Sequence, residues 1–205
     1  MKVLLINGSP HLKGNTALAL EEMKTVFEAG GVETEIIQVG TQAIRGCIAC
    51  GTCAKKGKCV FDDLVNETAP KLEAADGIII GSPVYYGGPN GTIMSFLQRL
   101  FYSTDFDKRM KVGASVVSCR RGGNSATFEM LNQFFGINGM PTVPSTYWND
   151  VHGNTAEEML KDAEGVQTMR NLGRNMAFMI KAIRAGEEQI GLPETSKETF
   201  TNFIR

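Results

Sequence analysis

Three apolar runs constrain this chain more than any other feature: "KVLLIN" (2–7), "GIIIGS" (77–82) and "KVGASVVS" (111–118). Each is too short for a stable helix and is closed by glycine or serine. Each is apolar on both faces, the pattern of a strand buried within a parallel sheet. Between them lie segments of helical period. "NTALALEEMKTVFEAGG" (15–31) puts Leu20, Met23 and Phe27 on one face and stops at Gly30-Gly31. Helices are also expected over 62–76, where Pro70 should kink or divide the element, and over 92–103 and 126–137. A long helix is expected over about 155–185, with Met169, Leu172, Met176, Ile180 and Ile183 in one stripe. "VETEIIQV" (32–39) reads as a further strand, and "TVPSTY" (142–147) as an edge strand, since Pro144 would disrupt a central one.

Strand and helix in alternation give an α/β fold: a doubly wound, five-stranded parallel sheet with helices on both faces. The expected division is one domain over 1–185, carrying a cysteine insert at 46–59, and a polar tail over 186–205. A chain of 205 residues buries a sizeable core without disulfide staples. Its net charge of −1 argues against nucleic-acid binding, which wants a basic excess. No run is long and apolar enough for a membrane span, and "MKVLLINGSPH" lacks the longer apolar region and cleavage site of a signal peptide. The expected location is the cytoplasm, where thiols stay reduced.

In such a sheet, ligands bind beyond the carboxyl ends of the strands. Three loops of suggestive composition fall there. "GSPHLKGNT" (8–16) leads into the first helix, whose terminal amides attract anions. Ser9, Asn15 and Thr16 add side-chain donors. The order Lys13-Gly14-Asn15-Thr16 is not that of a nucleotide-triphosphate loop, and Gly8-Ser9-Pro10 is not a dinucleotide fingerprint. What fits is a monophosphate held without a metal; the plainer alternative is a helix capped by Asn15 or Thr16 after a tight turn. "SPVYYGGPNG" (82–91) offers Pro83, with Tyr85 or Tyr86 to flank a planar ring and Gly87 and Gly88 to let backbone amides approach its edge. "CRRGGNS" (119–125) adds Arg120 and Arg121, whose charge would stabilise a reduced flavin. Taken singly these are ordinary loops; three on one rim make a site for a phosphorylated flat heterocycle. "YWNDVHGNT" (147–155) falls on the same rim, so Trp148 and His152 either cover such a ring in a neighbouring subunit or are a core tryptophan and a solvated histidine.

"GCIACGTCAKKGKC" (46–59) holds four of the five cysteines, Cys47, Cys50, Cys53 and Cys59. Three readings stand. A C-x2-C-x2-C run with a fourth cysteine suits a [4Fe-4S] cluster, and Gly46, Gly51 and Gly57 permit the tight backbone. Zinc usually draws two separated knuckles. Free or exchanging thiols form disulfides from C-x-x-C pairs. Cys119 stands apart, with a buried structural role as its default.

The loops "GSPHLKGNT" and "SPVYYGGPNGT" resemble those of the flavodoxin-like NADPH-dependent FMN reductases. The cysteine run and "GNTAEEMLKDAEGVQTMRNLGRNMA" (153–177) resemble the iron–sulfur flavoprotein branch of that family. The resemblance covers roughly residues 1–185 and implies a flavodoxin-like fold that binds FMN at the three loops. The implied FMN ligands are Ser9, Pro10, His11, Lys13, Gly14, Asn15 and Thr16 in the first loop. Pro83, Val84, Tyr85, Tyr86 and Gly87 come from the second, and Ser118, Arg120, Arg121, Gly122 and Gly123 from the third. It also implies a [4Fe-4S] cluster on the four clustered cysteines, NAD(P)H as electron donor, and a homodimer or homotetramer whose subunits help enclose the flavin. One departure is that many relatives carry Arg after "GSP", where this chain has His11, with Lys13 to replace the charge. The expected function is an FMN-dependent oxidoreductase passing electrons from NAD(P)H to a small-molecule or protein acceptor. The alternatives are a non-enzymatic electron carrier, disfavoured by the near-neutral charge, and a thiol-based redox sensor. No catalytic side chain is expected, because the flavin does the chemistry.

Overall fold

The computed structural model describes residues 1–196, 199 and 201. Its elements run β1 (Lys2–Asn7), α1 (Asn15–Ala29), β2 (Glu33–Gln38), α2 (Cys53–Lys56), α3 (Leu64–Ala74), β3 (Gly77–Tyr85), β4 (Gly88–Pro89) and α4 (Gly91–Ser103). Then come β5 (Val112–Cys119), α5 (Asn124–Gly136), β6 (Asp150–His152), α6 (Ala156–Met159) and α7 (Ala163–Ile190). Five strands pair in parallel in the order β2-β1-β3-β5-β6, the 2-1-3-4-5 arrangement of flavodoxin-like doubly wound sheets. The sixth, β4, folds back antiparallel on β3.

Strand alternation divides the core in two. Val3, Leu5, Ile79, Ala114 and Val116 face α1 and α7, and bury Leu20, Met23, Phe27, Met169, Leu172, Met176 and Ile180. Leu4, Ile6, Ile78, Ile80 and Val117 face α3, α4 and α5 with Leu72, Phe96, Leu100, Leu131 and Phe135. Both faces of β1 and β3 are covered, which is why those sequences are apolar throughout. The stripe expected on the long helix is buried from Met169 to Ile180, with Ile183 partly so.

Three boundaries differ from expectation. The edge strand is Asp150–His152, not 142–147; of the latter segment only Thr142 bridges to the sheet, opposite Gly113. The chain turns away at Pro144, which has no N–H to donate, and rejoins β5 six residues later through Asp150 opposite Val117. Pro70 leaves α3 unbroken, because it sits on the exposed face, where water can satisfy the carbonyl it strands. The long helix is two: α6, then α7, which restarts at the Asp162 cap and continues to Ile190. Of the expected tail, 197, 198, 200 and 202–205 lie outside the described residues.

Candidate functional site

The parallel register brings the loops after β1, β3, β5 and β6 to one rim, where they enclose a cleft of about 730 Å³. That is room enough for a cofactor-sized ligand. Of the expected residues, Ser9, Pro10, His11, Lys13, Gly14, Asn15, Thr16, Pro83, Val84, Tyr85, Ser118 and Arg120 line it. Tyr86, Gly87, Arg121 and Gly122 line an adjoining depression that shares Val84 and Arg120.

The first loop is tied down from below. Gly8 donates its N–H to Gly81 O at 2.8 Å, Ser9 N–H reaches Asn7 Oδ1 at 3.0 Å, and Gln38 Nε2 donates to Ser9 O at 2.6 Å. Ser9 Oγ accepts from His11 N–H at 3.1 Å, which leaves its own proton free to donate. Helix α1 is capped by Gly14 and not by Asn15 or Thr16; no side chain closes its amides, and no acidic residue lies in its first turn. Asn15 is engaged elsewhere, donating to Gly153 O at 2.6 Å. Thr16 and Ser118 share a buried 2.7 Å hydroxyl contact. Two hydroxyls bonded to each other use one proton between them, so one remains to donate into the cleft. The result is a helix terminus with no side-chain cap, ringed by hydroxyls and Lys13, chemistry suited to a phosphate.

The second loop is a hairpin. Tyr85 pairs with Gly88, and the two residues between them, Tyr86 and Gly87, take φ of 50° and 79°. A two-residue turn with both φ positive matches the sheet twist, which accounts for Gly87. Gly88 therefore completes the ladder. Tyr86 projects fully into solvent at the tip, whereas Tyr85 is half-exposed along the cleft. In the third loop, Gly123 has φ of 91° and caps α5. A Cβ there would meet Val84 Cγ1 at 2.7 Å and Gly87 Cα at 2.9 Å, so Gly123 lets the hairpin lie against β5.

Leu12, Cys119, Gly153, Asn154, Thr155 and Ala156 also line the cleft. The last four follow from the true position of β6: Gly153 N–H bonds Cys119 O at 3.2 Å, bringing the start of α6 to the rim. The signal was Thr155 followed three residues later by Glu158, whose N–H and carboxylate bond Thr155 Oγ1 and Asn154 N–H. Cys119 is buried; burial, with Asp150 nearby, pushes its thiol up to about 11. Trp148 is half-exposed, edge-on to Tyr147 at 4.7 Å, and is outside both the cleft lining and the core. The His152 backbone N–H donates to Asp162 Oδ2 at 2.7 Å, and its ring Nδ1 lies 3.6 Å from the same oxygen.

The second candidate centre lies between residues 47–61 and the end of α4. Cys47, Cys50, Cys53 and Cys59 line one apolar pocket with Ile48, Val60, Phe61, Arg99 and Tyr102. Ala49, Gly51 and Gly57 take φ of 53°, 69° and 65°, curling the segment on itself. Cys59 is held at its backbone by Asn66, which accepts its N–H and donates to its carbonyl, both at 3.0 Å. A hydrogen bond to Thr52 lowers the Cys50 thiol below its ordinary range. Among the described residues, no three His, Cys, Asp or Glu side chains are gathered tightly enough to hold a single metal ion. The four thiols share a pocket without meeting at one point. Sequence reasoning missed Arg99, which is buried beside Cys59 although Phe96, Arg99 and Ser103 fall on one helical face.

The sequence model of the NADPH-dependent FMN reductase family matches residues 1–155. An iron-sulfur flavoprotein of Methanocaldococcus jannaschii is 35% identical over 192 residues, 90% of this chain and all of that protein. An iron-sulfur flavoprotein of Methanosarcina thermophila is 30% identical over 194 residues, 92% of this chain and all of that one. Among solved structures, a flavodoxin from the domain Archaea superposes with a TM-score of 0.61 at 17% identity, covering 88% of this chain and 99% of that one. RosB with a bound formylated riboflavin phosphate gives a TM-score of 0.72 at 15% identity, covering 100% and 94%. The structural likenesses establish the fold. The sequence matches establish that the chain belongs to the NADPH-dependent FMN reductase family, on its iron–sulfur flavoprotein branch.

Proposed function

We propose that this flavin oxidoreductase binds FMN in the rim cleft and passes electrons from NAD(P)H to a small-molecule or protein acceptor by way of a [4Fe-4S] cluster. The observation that carries the reading is the cleft itself: one pocket that joins a hydroxyl-ringed helix terminus without a side-chain cap to a slot between Pro83–Tyr85 and Arg120. Phosphate at one end and a flat ring at the other is the outline of FMN. Ser9, Lys13, Thr16 and the α1 amides would hold the phosphate, with Ser118 orienting Thr16. Tyr85 and the hairpin backbone would flank the ring, and Arg120 would offset the charge that reduction adds to it. Bound FMN supplies hydride acceptance and release of electrons singly or in pairs; the chain contributes binding, orientation and electrostatics.

The cysteine pocket fits a cluster by its donor set. Each cysteine of a cubane bonds a different iron, so four sulfurs around one apolar pocket suit a [4Fe-4S] group though no single ion would be held. The relatives named iron-sulfur flavoproteins support the same reading. A homodimer or homotetramer would let exposed rings such as Tyr86 and Trp148 cover a neighbour's cleft. A cytoplasmic setting fits the reduced thiols, and no described helix is long and apolar enough to cross a membrane.

The test is anaerobic reconstitution with iron and sulfide. The expected result is about four irons per chain, lost on Cys53→Ala while FMN stays bound. Reconstituted protein without stoichiometric iron and sulfide would contradict the cluster and leave thiol chemistry to explain the motif.

A further inference from the structure

Arg99 stands in the middle of the apolar face of α4, where a cation is costly to bury without partners. It has a partner for every donor. Nη1 gives hydrogen bonds to Asp63 Oδ2 at 2.7 Å and Arg45 O at 3.2 Å. Nη2 gives them to Asp63 Oδ1 at 2.9 Å and Phe61 O at 3.3 Å. The remaining donor, Nε–H, points at Cys59 Sγ, 3.2 Å away. The guanidinium also lies over the Phe61 ring, its carbon 5.0 Å from the centroid. Residues 45, 59, 61 and 63, which bracket and close the cysteine segment, are thus gathered on one buried side chain. Besides gathering these groups, the cation aims a charged N–H at a sulfur, which no apolar side chain at this position could do.

We propose that Arg99 is a positioning and tuning residue for the metal cluster: its Nε–H bond fixes Cys59 as the fourth ligand, and its buried charge raises the cluster's reduction potential. This rests on the cluster reading of the cysteine motif. The sign follows from charge. Adding one electron makes the cluster and its thiolates more negative, and a fixed cation hydrogen-bonded to one thiolate favours that state. Asp63 works the other way. Its carboxylate holds the guanidinium in place and also cancels part of its field. The two residues should therefore move the potential in opposite directions, a signature that a merely structural ion pair does not have.

The experiment uses the full-length, FMN-containing protein, reconstituted anaerobically with iron and sulfide. The wild type, Arg99→Gln and Asp63→Asn are titrated potentiometrically, with the reduced cluster followed by electron paramagnetic resonance. Arg99→Gln is expected to lower the cluster potential by at least the equivalent of a tenfold change in the one-electron equilibrium, about 59 mV. Asp63→Asn is expected to raise it, since Asn keeps the Oδ1 that accepts from Val65 N–H and Nη2 but loses the charge. The flavin potential, read in the same titration, should stay put in both. Should Arg99→Gln fail to fold, Asp63→Asn decides alone: a rise supports the proposal and no rise overturns it. A loaded wild type with neither variant shifted, or both shifted the same way, overturns it and leaves the cluster reading intact. A wild type that takes up no iron and sulfide overturns both.

Discussion

Thr16 Oγ1 and Ser118 Oγ lie 2.7 Å apart, though 102 residues separate them in the chain. The bond joins the first turn of α1 to the end of β5 in the lining of the cleft, and both residues are buried. It ties the start of α1, the end of the cleft proposed to hold the phosphate, to the sheet. Changing Ser9 and Thr16 together to Ala removes two hydroxyl donors, each worth about 1.5–3 kcal/mol toward a charged group. FMN should weaken by at least roughly tenfold, and riboflavin, which lacks the phosphate, far less. Calorimetric titration with both ligands checks this; equal losses would remove these hydroxyls from a phosphate role.

Arg120 borders the cleft and the adjoining depression, whereas Arg121 borders only the latter. Arg120→Gln should lower the midpoint potential for forming the flavin hydroquinone, and Arg121→Gln should lower it less. Spectroelectrochemistry of the FMN-loaded variants measures both. Unchanged potentials in the pair would place the arginines outside the ring site.

Gly123→Ala tests the hairpin's seat. At φ of 91° an alanine is strained, and its Cβ would press on Val84 and Gly87. A loss of about 1–3 kcal/mol is expected in chemical denaturation, together with weaker FMN binding as the hairpin lifts. Wild-type stability in this variant would mean that the third loop does not set the hairpin's position.

Cys119 gives a pH prediction. Burial raises its pKa to about 11, above the ordinary thiol value. The folded state therefore keeps a proton that the unfolded state loses first. The stabilisation is full below the ordinary thiol pKa and falls away as pH rises through about 11. In cluster-free protein at mildly alkaline pH, alkylation followed by mass spectrometry should label exposed Cys47 and Cys50 quickly and Cys119 last. Labelling of Cys119 as fast as Cys50 would contradict its burial.

The parts of the molecule that were legible in the sequence are those where one physical demand dominates. Runs such as "GIIIGS" answer to burial on two faces, and the glycine-rich loops answer to positive φ and close approach. The strand Asp150–His152 was not legible, because three residues carry no periodicity and its pairing is set by β5. Gly14, not Asn15, caps α1, and the Asn15 side chain instead meets Gly153, a contact spanning 138 residues that the local sequence does not show. Arg99 reads as an ordinary charge on an amphipathic helix until Asp63, Phe61 and Cys59 are seen around it, and only tertiary structure brings them there.

The central claim is that a pyridine nucleotide reduces a flavin held in the rim cleft. Anaerobic mixing of the FMN-loaded protein with NADPH, and separately with NADH, measures this directly through the flavin's visible absorbance. Bleaching by at least one nucleotide at a saturable rate, slowed when Ser9 and Thr16 are replaced, is the predicted result. A flavin that stays oxidised with both nucleotides, yet is reduced by a ferredoxin, would contradict the reductase and make the protein an electron carrier.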